Sequence, residues 1–472
     1  MKTTKRTKIN RIVSLMTIIA LFACTAAGCK SSKNATKNDK GQTVISVGLW
    51  PSDEGTDLDN MNARKARFEE ANPDVEIKPD TWNFDRKTFY AKASGGQLPT
   101  VYVAGFTELQ EIINSKYAAD LTDVLKKRGY LDKINPQVLE MLSKDGKIYA
   151  LPRGNMGVLG FACNMDLMKQ AGLVEADGTP MQPKDWNEVL EFAIKIKEKT
   201  GKPGLVLPTA TNSGGWIFTQ LAWSFGTHFM EKQSDGKWKA TFNTSECESA
   251  LQFVKDLKWK YNVIPGNVIV TGDDWSQIFA TGGAGMSVFP GTFQASWAKY
   301  GMKPEQIGMM AMPAGPKDNV TLISGELLYV NSNATEEQID AAVRWISEEF
   351  NYEATDNFKK VLQDKIDVMR EGNQIIGIKS VPIWKDGVEA REYENKLIDD
   401  NVNVNPNNVK LYNDFITDCP AEMRAEEPVN CQQLYGILAD CLQAVLVDEK
   451  ADCKEVLEKA NSDFQANYLD NK

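Results

Sequence analysis

The sequence predicts an α/β chain built as two lobes. Three observations predict it. A β-α-β-α-β pattern fills residues 43–106. Amphipathic helical stretches recur at 185–201, 245–263 and 335–350. The chain has 472 residues, more than one ordinary domain holds.

The first eleven residues hold Lys2, Lys5, Arg6, Lys8 and Arg11 and no acid, and residues 12–23 are then almost wholly apolar. A basic head, a short apolar run and small residues read as a secretory signal. The run is too short for a membrane-crossing helix, which needs about 20 residues. Ala26-Ala27-Gly28-Cys29 resembles a bacterial lipobox. That resemblance makes residues 1–28 a lipoprotein signal peptide and implies lipid on the Cys29 thiol. Two or three acyl chains hold a protein on a membrane, at about 0.8 kcal/mol per buried methylene. Residues 29–42 are the lipidated cysteine and a polar tether. Ser31 to Gln42 holds no large apolar residue, so the stretch has too little to bury. The expected location is the outer face of the cytoplasmic membrane, with a Gram-positive surface favoured over a periplasm.

"TVISVGLW" at 43–50 is a β-branched run and reads as a strand. "DLDNMNARKARFEEANPDV" follows with Met61, Ala66 and Phe68 at near-helical spacing, and Asn72-Pro73 stops it. "VEIKPDTW" is a second strand. "KTFYAKASGG" is a helix ended by glycines. "PTVYVAG" is a third strand. Such an opening implies a parallel sheet covered by helices, with ligands at the carboxyl ends of the strands. Those ends are Leu49-Trp50, Thr81-Trp82 and Gly105-Phe106. "DWNEVLEFAIKIKEKTG" is an amphipathic helix with a glycine stop. "SECESALQFVKDLKWKYNV" is another, with Ser245 as its expected cap. "WSQIFATGGAGMSVF" reads as helix end, glycine break and strand. "TEEQIDAAVRWISEEF" is a helix capped by Thr335, and the last fifty residues are helical again.

Composition excludes several kinds of chemistry. Net charge is −10, and removal of the five basic signal residues takes it to −15. No basic stripe remains, which argues against nucleic acid as a partner. One histidine, His228, leaves no His triad and no His-based metal cluster. No phosphate-binding P-loop motif occurs. Eight cysteines include Cys24 in the signal and Cys29. The other six are sparse for a disulfide framework and favour buried thiols over a local bridge among Cys419, Cys431, Cys441 and Cys453. No cofactor and no metal are expected.

"RFEEANPDVEIK", "ASGGQLPTVYVAG", "DLTDVLKKRGYLDKIN", "DGKIYALPRGNMGVLGFACNMDLMKQAGL", "PKDWNEVLEFA", "FATGGAGMSVFPGTF", "IGMMAMPAGPKDN" and "TLISGELLYV" occur in this order. With them the chain resembles the extracellular solute-binding lipoproteins of bacterial carbohydrate ABC transporters, the maltodextrin-binding-like group. The resemblance covers about 43–350 well and the C-terminal helices loosely. It implies two α/β lobes joined by a three-segment hinge, with a sugar held between them. The implied lobes are 43–156 with 314–370, and 157–313 with 371–472. Residues 351–430 match poorly. The implied partners are an oligosaccharide, permease subunits and the membrane through the anchor, with the protein a monomer.

A sugar offers hydroxyl rims and apolar C–H faces, so its site needs flat aromatic plates and polar flanks. The strand ends supply Trp50, then Trp82 with Phe84 and Asp85. The resemblance adds Phe106, Thr107 and Glu108 after the third strand, Asn155 and Met156 in the first crossover, and Trp216 at a helix start. It also adds Thr292 and Phe293, where relatives usually carry a stacking tryptophan, and Glu326. Trp275 and Trp297 are further candidates, whereas Trp186, Trp259 and Trp345 on amphipathic helices read as core. Arg153 fits either a sugar contact or an ion pair at the hinge. A non-sugar solute such as a peptide or polyol is the alternative. A secreted glycoside hydrolase would need two carboxyls about 5 to 9.5 Å apart, and 64 acidic residues make a chance pair uninformative.

Overall fold

The structure is a computed structural model that describes residues 36–418 and 420–470. The signal peptide, Cys29, the start of the tether and Cys419 lie outside these residues. Eight strands form one sheet: β1 (Thr43–Val47), β2 (Val75–Pro79), β3 (Val101–Gly105), β4 (Ala150–Asn164), β5 (Met286–Pro290), β6 (Ile307–Met310), β7 (Val320–Val330) and β8 (Glu422–Arg424). The longer helices are α1 (Thr56–Ala71), α2 (Arg86–Ser94), α3 (Trp186–Thr200), α4 (Thr211–Ser224), α5 (Ser245–Trp259), α6 (Gly272–Ala280), α7 (Glu336–Ile346), α8 (Asp356–Glu371), α9 (Glu389–Asp399), α10 (Pro406–Asp418), α11 (Cys431–Val447) and α12 (Cys453–Phe464).

The strand order is β6-β4-β7-β3-β1-β2, with β5 beside β4 and β8 beside β7. The opening β-α-β-α-β unit forms as its pattern predicts. β1 runs parallel to β2, with Ile45 facing Ile77, and parallel to β3 at Val47 and Val101. Buried Val44, Ile45, Val75, Ile77 and Val101 are the β-branched residues of that pattern. In the rest of the sheet the pairs are antiparallel, except that β8 runs parallel to β7. β4 and β7 are antiparallel neighbours of 15 and 11 residues. Their length explains this: each passes through both halves of the sheet, and a chain that returns beside itself runs antiparallel. Residues 150–153 of β4 and 326–330 of β7 belong to the half with β3 and β1. Their other ends pair with β5, β6 and β8.

The register slips between the halves at Ser324 and Glu326. Gly325 has φ 153° there, and Gly154 on the facing stretch of β4 has φ 69°, both in the region that favours glycine. A third stretch of chain passes the same point, where Val381 N–H donates to Met156 O at 2.8 Å.

Helix ends follow local chemistry. Asp185 caps α3, its carboxylate accepting from Asn187 N and Glu188 N. Trp186, Val189, Ala193 and Ile196 form the buried stripe, and Gly201 at φ 71° ends the helix. Thr335 and Gln338 make a reciprocal capping box on α7. α5 begins one residue earlier than expected. Thr244 has the extended backbone of a cap and accepts from Cys247 N at 3.4 Å, so Ser245 is the first helical residue.

The weakly matched 351–430 stretch folds as α8, α9, α10 and β8. α10 seals the outer half of the sheet: Tyr412 Oη–H donates to Val158 O at 2.8 Å and accepts from Gly291 N at 3.1 Å. A Cβ at Gly160 would stand 2.4 Å from that ring. Cys163, Cys247, Cys431, Cys441 and Cys453 are buried free thiols, as the sparse spacing favours.

Candidate ligand cleft

A cavity of about 720 Å³ lies where β4 and β7 pass between the halves, within the roughly 300–1,000 Å³ of small-ligand sites. Leu49 and Pro51, past the end of β1, and Asp57, Asn60, Met61, Arg64 and Arg67 on α1 form one wall. Gly291 and Thr292, past the end of β5, form another. Leu362, Lys365 and Ile366 on α8, the stretch 374–380 and Glu394 on α9 close the rest, and Arg153 and Gly154 sit at its foot. No aromatic side chain lines it among the described residues.

Charge on these walls is partly spent. Arg64 is paired with Glu349, and Arg153 Nη1 meets Glu326 Oε2 at 2.7 Å. Arg153 is therefore an ion-pair partner at the crossing strands, one of the two roles its position allows. Burial alone would raise the Glu349 carboxyl, yet Arg64, Lys365 and Arg153 outweigh burial and hold it at about 2. Arg67 has no ion pair among the described residues, and its buried Nε lacks a hydrogen-bond partner.

The expected aromatic plates take other places. Trp50 is 4% exposed, its ring stacked on Trp345 at 6.1 Å. Trp275 lies parallel to Phe289 at 3.9 Å, with its indole N–H on Ser287 Oγ at 2.6 Å. Trp297 meets Phe289 edge-on at 5.3 Å. These three are core residues: close packing uses both ring faces, so they offer none to a ligand. Met156 is likewise fully buried. Trp82 and Phe84 are half-buried against Phe89. Asp85 is spent as the cap of α2, accepting from Thr88 N at 3.0 Å. Phe293 is half-buried against Trp275 and Phe289. Thr292 lines the cavity, and Glu326 is exposed at its rim pair. The side chain of Asn155 lies outside the described part.

Phe106, Thr107, Glu108 and Trp216 converge on a second feature. Glu326 faces Gly105 in the β7–β3 register, and the chain turns there through Phe106–Glu108. Glu108, 1% exposed, is paired with Arg86 of α2. Arg86 Nη1 also donates to Gln432 Oε1 at 2.5 Å, and Asn212 Nδ2 meets the same oxygen at 2.7 Å. Trp216 donates its indole N–H to Glu426 Oε1 at 2.9 Å. Cys431 Sγ–H donates to Thr107 O at 3.3 Å. The β3 end is thus bonded to α4 and α11 from the other half. Burial raises the Glu108 and Glu426 carboxyls; the like charge of Glu111 adds to the first and that of Glu108 to the second. One residue on, Glu427 is pushed up to about 7 by burial, against the opposing Trp223 indole N–H and Arg424 charge.

Sequence reasoning missed Arg64, Arg67, Arg86, Glu426 and Gln432. Asp57, Asn60, Arg64 and Arg67 recur at helical spacing, a polar stripe that the sequence displays. Glu426 carried no signal, because nothing local distinguishes it among 64 acids.

Residues 63–365 match the family model described as bacterial extracellular solute-binding protein. The chain belongs to that family. Solved structures similar to this solute-binding chain agree on the fold. A cyclic α-maltosyl-1,6-maltose binding protein from Arthrobacter globiformis is 21% identical, with TM-score 0.64 and coverage of 90% of this chain and 99% of that one. An ABC substrate-binding protein from Listeria monocytogenes in complex with cycloalternan is 16% identical at TM-score 0.65, with the same coverage. A receptor from Streptomyces glaucescens in complex with acarbose is 18% identical at TM-score 0.60, again over 90% and 99%. The solute-binding chain has the two-lobed α/β fold of these proteins. The matches are to binding proteins, not enzymes. No described helix is long and apolar enough to cross a membrane, and no described cluster of His, Cys, Asp and Glu could hold a metal.

Proposed function

We propose that the chain binds an oligosaccharide between its lobes and delivers it to the permease of an ABC transporter, without breaking any bond. The observation that carries this reading is the 720 Å³ cavity, walled from both halves of the sheet where the strands cross. Its polar side chains suit hydroxyl rims, and Leu49, Met61, Leu362 and Ile366 suit C–H faces. With no ring on its walls, hydrogen bonds do most of the holding. The three similar proteins whose names carry maltosyl-maltose, cycloalternan or acarbose support a sugar over a peptide.

The mechanism is differential contact. Closed lobes touch a solute on two sides and open lobes on one. The solute shifts the population toward closure by no more than its affinity difference for the two states. The lobe limits 43–156 with 314–370, and 157–313 with 371–472, belong to the same reading. A panel of oligosaccharides of different linkage should contain one class that raises the thermal midpoint of the mature domain. A ligand at 100 times its dissociation constant adds about 2.7 kcal/mol. Arg67→Ala should weaken that sugar about tenfold or more, since a hydrogen bond to a charged group contributes about 1.5–3 kcal/mol. Unchanged affinity in the variant would remove the cavity from the reading.

The same reading anchors a monomer to the outer membrane face through lipid on Cys29, on a Gram-positive surface. Its support is the lipobox after a short apolar run. Cys29→Ser should move the protein from the membrane fraction to the medium. Retention in the membrane fraction would rule the anchor out.

A further inference from the structure

The wall that α1 gives to the cavity carries more positive charge than its neighbours neutralise. Arg64 and Arg67 are three residues apart on that helix, so they are neighbours on one face, and both line the cavity. Glu349 is taken up by Arg64, whose Nη2 also donates to Trp345 O at 2.8 Å. Arg67, half-buried, has no ion pair among the described residues. The Nε atoms of both arginines are buried and complete no hydrogen bond among the described residues. Like charges one helical turn apart repel, and the wall gives this pair one carboxylate rather than two.

The other charges on the walls balance without Arg67. Arg153 is paired with Glu326, Asp364 with Lys360, and Lys379 stands 3.9 Å from Asp399. Lys365 acts on both Glu349 and Glu394, opposing the upward push of burial on each. Arg64 and Lys365 thus face Glu349 and Glu394, two against two, and Arg67 is the surplus cation. Two further acids of α1 do not answer it. Asp57 is exposed at the start of the helix, about 15 Å before Arg67 at 1.5 Å per residue. Glu70, one turn past Arg67, is exposed and lies outside the cavity wall.

The sign of the solute follows from this surplus. A sugar seated against α1 strips water from Arg67. Neutral hydroxyls can accept its N–H groups, but they leave its charge without a partner, and a desolvated charge without a counter-charge is unfavourable. An oxyanion meets both needs. The guanidinium fork fits paired anionic oxygens, and such charge-assisted bonds are roughly twice as strong as neutral ones. We infer that the solute is an acidic sugar, an oligosaccharide bearing a carboxylate, sulfate or phosphate whose oxygens meet the Arg67 guanidinium on the α1 wall. The inference rests on the sugar-binding reading above and narrows it. The net charge of −10 does not oppose it at contact range, because salt screens exposed charges more than about 8 Å apart.

The experiment pairs each acidic oligosaccharide with a neutral twin of the same length and linkage. A uronic acid oligomer is set against its methyl ester, and sulfated and phosphorylated oligomers against the bare sugars. Calorimetry with the mature domain at pH 7 should show the acidic member of one pair binding about tenfold tighter or more, a difference equal to roughly 1.4 kcal/mol. The pair with that preference identifies the oxyanion. In Arg67→Gln, which keeps a hydrogen-bond donor and loses the charge, the ratio should fall toward one. Equal or tighter binding of the neutral twin in every pair overturns the acidic-sugar inference and leaves the sugar reading intact. So does silence of every pair when a neutral oligosaccharide of the thermal panel binds. Silence toward acidic and neutral sugars alike overturns both. An acid preference that survives Arg67→Gln overturns the assignment to Arg67, and the wild-type comparison stands even if that variant does not fold.

Discussion

Arg64→Ala should destabilise the protein by about 3–5 kcal/mol, the usual result of removing one partner from a buried ion pair. The Arg64 and Glu349 side chains are 8% and 15% exposed. Arg64 also donates from Nη2 to Trp345 O at 2.8 Å, and its guanidinium stands 3.9 Å from the centroid of the Trp345 ring. Trp345 stacks on Trp50 and meets Phe68 edge-on at 5.3 Å. Truncation thus removes a counter-charge, a hydrogen bond and the cover of an aromatic core. The pH dependence separates the charge from the packing. Glu349 is held at about 2 against an ordinary 4.5. A depressed carboxyl contributes stability above pH 4.5 and loses it as pH falls toward 2. Urea unfolding at pH 7 and pH 3 should show the wild-type advantage over Arg64→Ala shrinking at the lower pH. A gap that stays constant would assign the whole effect to packing.

Much of the fold was legible because local chemistry and tertiary demand agree. Asp185, the Trp186-Val189-Ala193-Ile196 stripe and Gly201 specify α3 without help from the rest of the chain. The β-branched runs at 43–47 and 101–105 could only be buried strands. The parallel pairing expected from the opening holds for β1, β2 and β3 and does not extend to β4 and β7, because whether a long strand passes between lobes is set by its partners, not by its own residues. Three of the expected aromatic plates, Trp50, Trp275 and Trp297, pack in the core for a related reason. Trp50 does follow a strand end, but a stacked tryptophan there serves the α7 interface as well as a ligand would. Spacing cannot separate the two, whereas the 6.1 Å stack on Trp345 does. Glu108 and Trp216, taken from resemblance, fall in one cluster together. Its other members, Arg86, Glu426 and Gln432, are 22 to 346 residues apart in the chain from the groups they bond. A juxtaposition of that kind leaves no trace in a local pattern.

Gly215→Ala should unfold or grossly loosen the half of the protein built on α4 and α11. Glycine inside a helix is ordinarily unfavourable by about 1 kcal/mol relative to alanine, so propensity alone predicts a gain. Geometry reverses the sign. A Cβ at 215 would stand 2.0 Å from Tyr435 O and 2.5 Å from Tyr435 Cα. Those are backbone atoms of α11, which cannot swing aside like a flexible side chain. Ile217, Phe218 and Leu221 on α4, and Leu434, Leu438 and Leu442 on α11, are buried around the contact, so the helices can separate only by opening a cavity. Overpacking of this kind costs about 1–3 kcal/mol where neighbours can shift, and more where they cannot. Gly436→Ala is the control. It lies in the same α11, but its Cβ would meet only Asn212 Oδ1, at 3.8 Å. That variant should keep or slightly raise the thermal midpoint while Gly215→Ala lowers it by many degrees. The loss should also break the Trp216–Glu426 and Asn212–Gln432 bonds that flank the contact, and so weaken solute binding along with stability. A Gly215→Ala protein as stable as the wild type would mean that α4 and α11 are not packed backbone to backbone.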